Sequence, residues 1–168
     1  MLPIVLDPDS VVVGLAGDGE ALARRRALLA GAGIAPVAIA PEAADEALHG
    51  LAALFVAGLP PSQAQAMAAR ARLAGVLVNV EDVPALCDFH VPAVVRRGDL
   101  LISVSTGGKA PGLARLIREW LARRLGAEWG ARLTAVAEAR AEWRQAGHSP
   151  ADVAGRTRAH VAERDWLP

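Results

Sequence analysis

A chain of 168 residues fits one domain, or one domain with a helical appendage, and is long enough to bury a core without staples. Its formal net charge is zero, which argues against nucleic acid or an anionic membrane surface as a partner. Cys87 is the only cysteine, which excludes an intrachain disulfide or a thiolate zinc cluster and suits a reducing cytoplasm.

No apolar run approaches the ~20 residues needed to span a bilayer, and the opening MLPIVLDPDS lacks the basic-then-apolar pattern of a secretory signal. Val11–Ala16 is a short β-branched run that predicts a buried strand. Gly17-Asp18-Gly19 follows, then a helical segment with Leu22, Leu28 and Leu29 that Gly31 and Gly33 end. Val37–Ala40 is a second strand stopped by Pro41, which completes a βαβ unit. The pattern repeats. A helical turn or two falls in EAADEALHG, a third strand over Leu51–Val56, a helix from Gln63 to about Leu73 with Ser62 as its cap, and a fourth strand over Val76–Val80. Alternation of this kind predicts an open, mainly parallel, Rossmann-like α/β sheet.

After Val80 the rhythm changes. Val91–Val95 and Leu100–Val104 read as strands joined by a tight turn at Arg96-Arg97-Gly98-Asp99. Beyond Ala110 only helix signals remain. Leu113, Leu116, Ile117, Trp120 and Leu121 share one face of a helix that Gly126 ends. Trp129, Leu133, Val136, Ala137 and Trp143 mark another, and Ser149-Pro150 starts a last one. The predicted organisation is a Rossmann-like domain over residues 1–105 and a mainly helical region over 106–168.

Two polar loops stand at strand ends. Asp82 lies just past the fourth strand, where open α/β sheets place ligands, and a carboxylate there is a candidate general base or metal ligand, or else a helix cap or solvated loop acid, with Glu81 and Asp88 as competitors. Ser105-Thr106-Gly107-Gly108-Lys109 offers hydroxyls, backbone N–H groups and an ammonium at a helix start, an anion-binding composition without Walker spacing. Gly17-Asp18-Gly19 has the context of a dinucleotide-binding turn, although an ordinary βα turn accounts for these residues about as well. Arg96, Arg97, Arg115 and Arg118 are either solvated or a cluster for a polyanion. His49, His90, His148 and His160 show no metal-ligand spacing.

Taken together, the stretch VNVEDVPALCDFHVPAVVRRGDLLISVSTGGKAPGLARLIREWL resembles the core signature of precorrin-2 dehydrogenase, the dehydrogenase/ferrochelatase module of siroheme synthase. The segments LPIVLD and Gly17 to Pro41 agree with the same family. The resemblance implies NAD-dependent oxidation of precorrin-2 to sirohydrochlorin, with some members also inserting Fe²⁺ as a substrate metal to give siroheme. It implies Asp82 as the catalytic residue. NAD contacts are expected at Gly17, Asp18, Gly19, Glu20 and Ala21, and at Pro41 and Glu42 after the second strand. Substrate contacts are expected at Arg96, Arg97, Ser105, Thr106, Gly107, Gly108, Lys109 and Arg115. No resident metal site is implied. A homodimer is, with the helical region serving dimerisation and tetrapyrrole binding.

Three departures fall on the cofactor side: Asp18 stands for a glycine, Leu22 for a small residue, and Gly58-Leu59-Pro60 for a Thr-Asp-Asp-like segment. They carry the alternative reading, a ferrochelatase or tetrapyrrole-binding protein on the same scaffold with weakened dehydrogenation. A non-catalytic dinucleotide sensor is a third reading, supported by the glycine turn alone.

Overall fold

A computed structural model describes residues 1–167. The chain divides into two compact units, the first ending at Val91 and the second beginning at Pro92.

The first unit runs β1 (Val13–Gly17), α1 (Gly19–Ala30), β2 (Val37–Ala38), a 3₁₀ turn (Asp45–Leu48), β3 (Ala53–Ala57), α2 (Pro61–Leu73), β4 (Leu77–Val80) and a second 3₁₀ turn (Pro84–Leu86). The four strands form one parallel sheet in the order β2-β1-β3-β4. Two-residue periodicity sorts the strand side chains between two faces. Ala16, Leu54, Val56, Val78 and Val80 face Ala64, Met67, Ala68 and Ala71 of α2. Val13, Leu15 and Phe55 face the α1 side, with Leu29. β3 is buried along its whole length, which is why its sequence is a continuous apolar run.

Two local expectations change. β2 is only Val37–Ala38, both exposed, because it is the edge strand and Pro41 soon ends the chain's extended course. Ser62 does not cap α2; the helix begins at Pro61, whose fixed φ suits a first turn.

The second unit holds an antiparallel hairpin, β5 (Ala93–Arg97) and β6 (Leu100–Val104), and helices α3 (Pro111–Arg124), α4 (Glu128–Gln145) and α5 (Pro150–Ala162). Arg97 pairs with Leu100, so the turn is Gly98-Asp99. Gly98 has φ +57° and Asp99 does not lie at positive φ, the sign pattern of a II′ hairpin. The hairpin forms its own sheet and groups with the helices, so the division falls at 91/92 rather than after residue 105. α5 opens on a full capping box, with Ser149 and Asp152 satisfying each other's backbone N–H groups. α4 and α5 meet through edge-on rings, Trp143 against His160, and His160 also meets Trp166 from the segment after α5. The apolar face expected on α3 exists but is left open: Leu113, Leu116, Ile117 and Trp120 are all exposed. Among the described residues, no helix is long and apolar enough to cross a membrane.

Candidate functional site: the carboxyl edge of the parallel sheet

In a parallel sheet every strand ends at the same edge, and the chain reverses its direction of travel across the sheet between β1 and β3. At that point the two following loops cross in contact. A Cβ on Gly17 would overlap the carbonyl oxygen of Ala57, and one on Gly58 would overlap that of Asp18. Both glycines sit at positive φ, +147° and +76°. The Asp18 N–H donates to the Ala57 carbonyl at 3.1 Å and closes the crossing. Gly58, which looked from sequence like a loss of cofactor-facing groups, is thus required by the turn after β1.

Asp18 is the N-cap of α1, and its carboxylate accepts the Gly19 N–H at 2.7 Å. Gly19, at φ +63°, faces open space. The N–H groups of Glu20 and Ala21 have no partner among the described residues, as expected for the first turn of a helix. Leu22, expected to crowd this turn, instead turns away and packs with Val13, Leu15, Leu29 and Phe55. Beyond β2, Arg70 holds the loop by donating to Asp45 at 2.6 Å, to the Pro41 carbonyl at 3.1 Å and to the Ala43 carbonyl. The Glu42 carboxylate is left exposed beside a shallow hollow of about 260 Å³.

The three acids after β4 differ sharply. Glu81 lies largely buried between Arg24 and Arg25 of α1, at 3.7 and 3.6 Å. Asp88 folds back to accept the Val78 N–H at 2.9 Å and pairs with Arg72 at 2.9 Å. Asp82, which is exposed, is the one of the three without a polar partner among the described residues. It occupies the third position of a turn closed by Val83 N–H to Val80 carbonyl at 3.3 Å, with φ +60°. That is the left-handed position of a type II turn, usually glycine or asparagine. The Cys87 thiol braces this turn: it accepts the Val80 N–H at 3.3 Å and donates toward the Val80 and Val83 carbonyls at 3.2 and 3.4 Å. Beside Asp82 opens a mainly apolar cleft of about 350 Å³, lined by Gly58, Leu59, Ala64, Glu81, Val83 and Leu86 among others. The clamp from Arg24 and Arg25 and the Cys87 brace escaped sequence reasoning. The clamp joins residues more than fifty positions apart and its only signal was the run Arg24-Arg25-Arg26, whereas the brace is local and a lone cysteine gave no sign of it.

In the second unit the Ser105–Lys109 loop is closed by its own groups. Ser105 accepts the Gly107 N–H at 3.2 Å, and Thr106 Oγ1 accepts the Ala110 N–H at 3.2 Å. Gly107 and Gly108 take positive φ, +64° and +76°, and Gly108 and Lys109 are exposed. The arginines separate. Arg97 is committed to structure: its guanidinium donates to the carbonyls of Ala122, Leu125 and Gly126, at 2.8, 2.7 and 3.1 Å, and so caps α3. This removes it from the expected substrate contacts. Arg115 and Arg118 share Glu119, each at 3.0 Å. The Arg115 hydrogen bond, with the charges of Arg115, Arg118 and Arg123, holds the Glu119 carboxyl below its usual range. Arg96 is exposed and unshared among the described residues.

The strand order, the glycine crossing and the open helix terminus define an NAD(P)-binding α/β protein. The family described as putative NAD(P)-binding matches residues 4–93, and the chain belongs to that family. The sirohaem biosynthesis protein central family matches residues 97–124. The siroheme synthase of Methylococcus capsulatus is 33% identical over 183 residues, covering 97% of this chain and 38% of the relative. That of Thiobacillus denitrificans is 36% identical over 156 residues, covering 81% of this chain and 32% of the relative. The resemblance read from the sequence is therefore borne out, and the chain spans well under half the length of these relatives. The solved structure of SirC, precorrin-2 dehydrogenase, shares the fold with a TM-score of 0.69 at 19% identity, over 96% of this chain and 89% of that one.

Proposed function

We propose that this chain oxidises precorrin-2 to sirohydrochlorin at the carboxyl edge of its parallel sheet, with NAD⁺ as hydride acceptor. The observation that carries the reading is the fate of the three acids after β4. Two are engaged by arginines, and Asp82 stands unpaired on a braced turn beside an apolar cleft. An exposed carboxylate there suits a general base that takes a proton from the macrocycle. The dinucleotide supplies the site for the departing hydride. The open N–H groups of Glu20 and Ala21 suit its pyrophosphate, and Gly19, which faces open space, leaves the backbone bare for close approach. Glu42, in the loop that follows β2, suits a ribose hydroxyl and disfavours a 2′-phosphate, which supports NAD over NADP.

The substrate carries eight carboxylates. Arg96, Lys109 and the hydroxyls and backbone of Ser105, Thr106, Gly107 and Gly108 offer complementary groups in the second unit, and Arg115 offers one it shares with Glu119. The open apolar face of α3 supports a homodimer. Residence in the cytoplasm fits the free thiol of Cys87.

The direct test supplies precorrin-2 and NAD⁺ anaerobically and follows NADH and sirohydrochlorin absorbance. Turnover that Asp82→Asn abolishes is the expected result; turnover unchanged in that variant removes Asp82 from the chemistry. One observation favours a second reading: the Asp18 carboxylate stands where the pyrophosphate would bind. A chain without NADH production that still inserts Fe²⁺ into supplied sirohydrochlorin is then a ferrochelatase or tetrapyrrole binder on this scaffold.

A further inference from the structure

We propose that Asp18 is an affinity-setting residue that works against the dinucleotide, by holding with its own carboxylate the first N–H of the α1 terminus. The inference rests on the NAD reading of this edge and goes beyond it by giving one residue there a definite sign. The Asp18 carboxylate accepts the Gly19 N–H at 2.7 Å, so one of the three leading donors of α1 is already in use. The same carboxylate places a negative charge at the positive end of the helix, where a pyrophosphate would bring two more.

The backbone cannot carry this charge away. The Asp18 N–H is held by the Ala57 carbonyl at 3.1 Å, its own carbonyl accepts the Leu22 N–H at 3.3 Å, and the same carbonyl lies against Gly58. Only a side-chain rotation frees Gly19, and it leaves the charge nearby. Nor is the charge offset locally. Glu20, the other acid of the first turn, has Arg24 at 3.6 Å, whereas Asp18 has no cation within ion-pair distance among the described residues. Gly19 faces open space, so the obstacle at this turn is charge and donor occupancy, not bulk.

The test measures Kd for NAD⁺, ADP-ribose and adenosine by titration calorimetry on the wild-type chain, D18N and D18G. D18N keeps a capping oxygen and removes the charge; D18G also frees the Gly19 N–H. Both variants are expected to bind NAD⁺ and ADP-ribose about tenfold more tightly, the scale of one like charge at a partly solvated site. Adenosine, which lacks phosphate, should bind all three proteins equally. The gap between wild type and D18N should narrow as salt is raised from about 0.05 to 0.5 M. Unchanged or weaker NAD⁺ binding in D18N, with its thermal melt intact, overturns the inference. So does a gain that extends to adenosine. If no form binds NAD⁺ although all are folded, the NAD reading of the edge fails and the inference falls with it. If the wild type binds and the variants bind no better, only the inference fails.

Discussion

The two units of this chain solve the problem of burying apolar surface differently. In the first, a sheet sandwiched by α1 and α2 buries most of the large side chains it offers, Val37 and Leu77 excepted, and Leu15, Leu54 and Val78 of the sheet and Met67 of α2 are sealed almost completely. In the second, the only fully buried apolar side chains among the described residues are Val95, Ala114 and Val153, while α3 presents Leu113, Leu116, Ile117 and Trp120 to solvent. The first unit holds its shape from within and can afford open donors and an unpaired acid along one edge. The second satisfies its polar loop locally and leaves its apolar stripe unspent. The lesson is that the first unit leaves polar groups open along one sheet edge, whereas the second leaves apolar groups open along one helix.

That contrast can be broken or sharpened by substitution. The largest effect is expected from Asp82→Asn. It removes the one unpaired acid of the three after β4 and should lower kcat by roughly 10²–10⁴-fold, read by anaerobic NADH production. Stability should be unchanged or slightly raised, because asparagine tolerates the left-handed turn position well. Leu54→Ala comes next. Deleting a fully buried side chain should cost about 2–5 kcal/mol in urea denaturation. Leu116→Ala on the open face of α3 should cost under about 0.5 kcal/mol in a dilute monomer, yet shift the mass seen by light scattering at high concentration. Equal costs at the two sites would erase the distinction between the units. Gly58→Ala should destabilise by roughly 1–3 kcal/mol, through backbone overlap and positive φ, and weaken NAD⁺ binding with it.

A modest effect, confined to one helix terminus, is expected at the start of α5. Ser149→Ala should cost about 1 kcal/mol through loss of the cap. Its pH dependence has a definite sign. The Ser149 hydrogen bonds hold the Asp152 carboxyl below its ordinary range. The capping box therefore stabilises above that range, and its contribution is lost as pH falls through the lowered folded value. The difference between wild type and Ser149→Ala should shrink on acidification, read from melting curves at several pH values.

Much of the fold was legible in the sequence because parallel strands buried on both faces must be apolar throughout. The runs around Val13–Ala16, Leu54–Val56 and Val78–Val80 announced themselves, and prolines and glycines marked the joints. The hairpin was legible from Gly98-Asp99, but its independence from the parallel sheet was not, since pairing partners far apart in sequence leave no periodic trace. The site was legible as a set of loops and not as a set of duties. Glu81, Asp82 and Asp88 read alike in one dimension. They differ only because Arg24, Arg25 and Arg72 arrive from other helices to claim two of them. Arg97 misled for the same reason: a guanidinium beside a polar loop and one capping a helix 25 residues later have identical sequence signatures.

The interlocked glycines at the β1–β3 crossing have a consequence for transplanting parts between relatives. Because each bare backbone is pressed against the other loop's carbonyl, neither loop is an independent module. A graft that imports the segment after β3 from a homologue with a side chain at position 58 would prise open the turn after β1. Only exchanged as a matched pair would the two loops keep their fit.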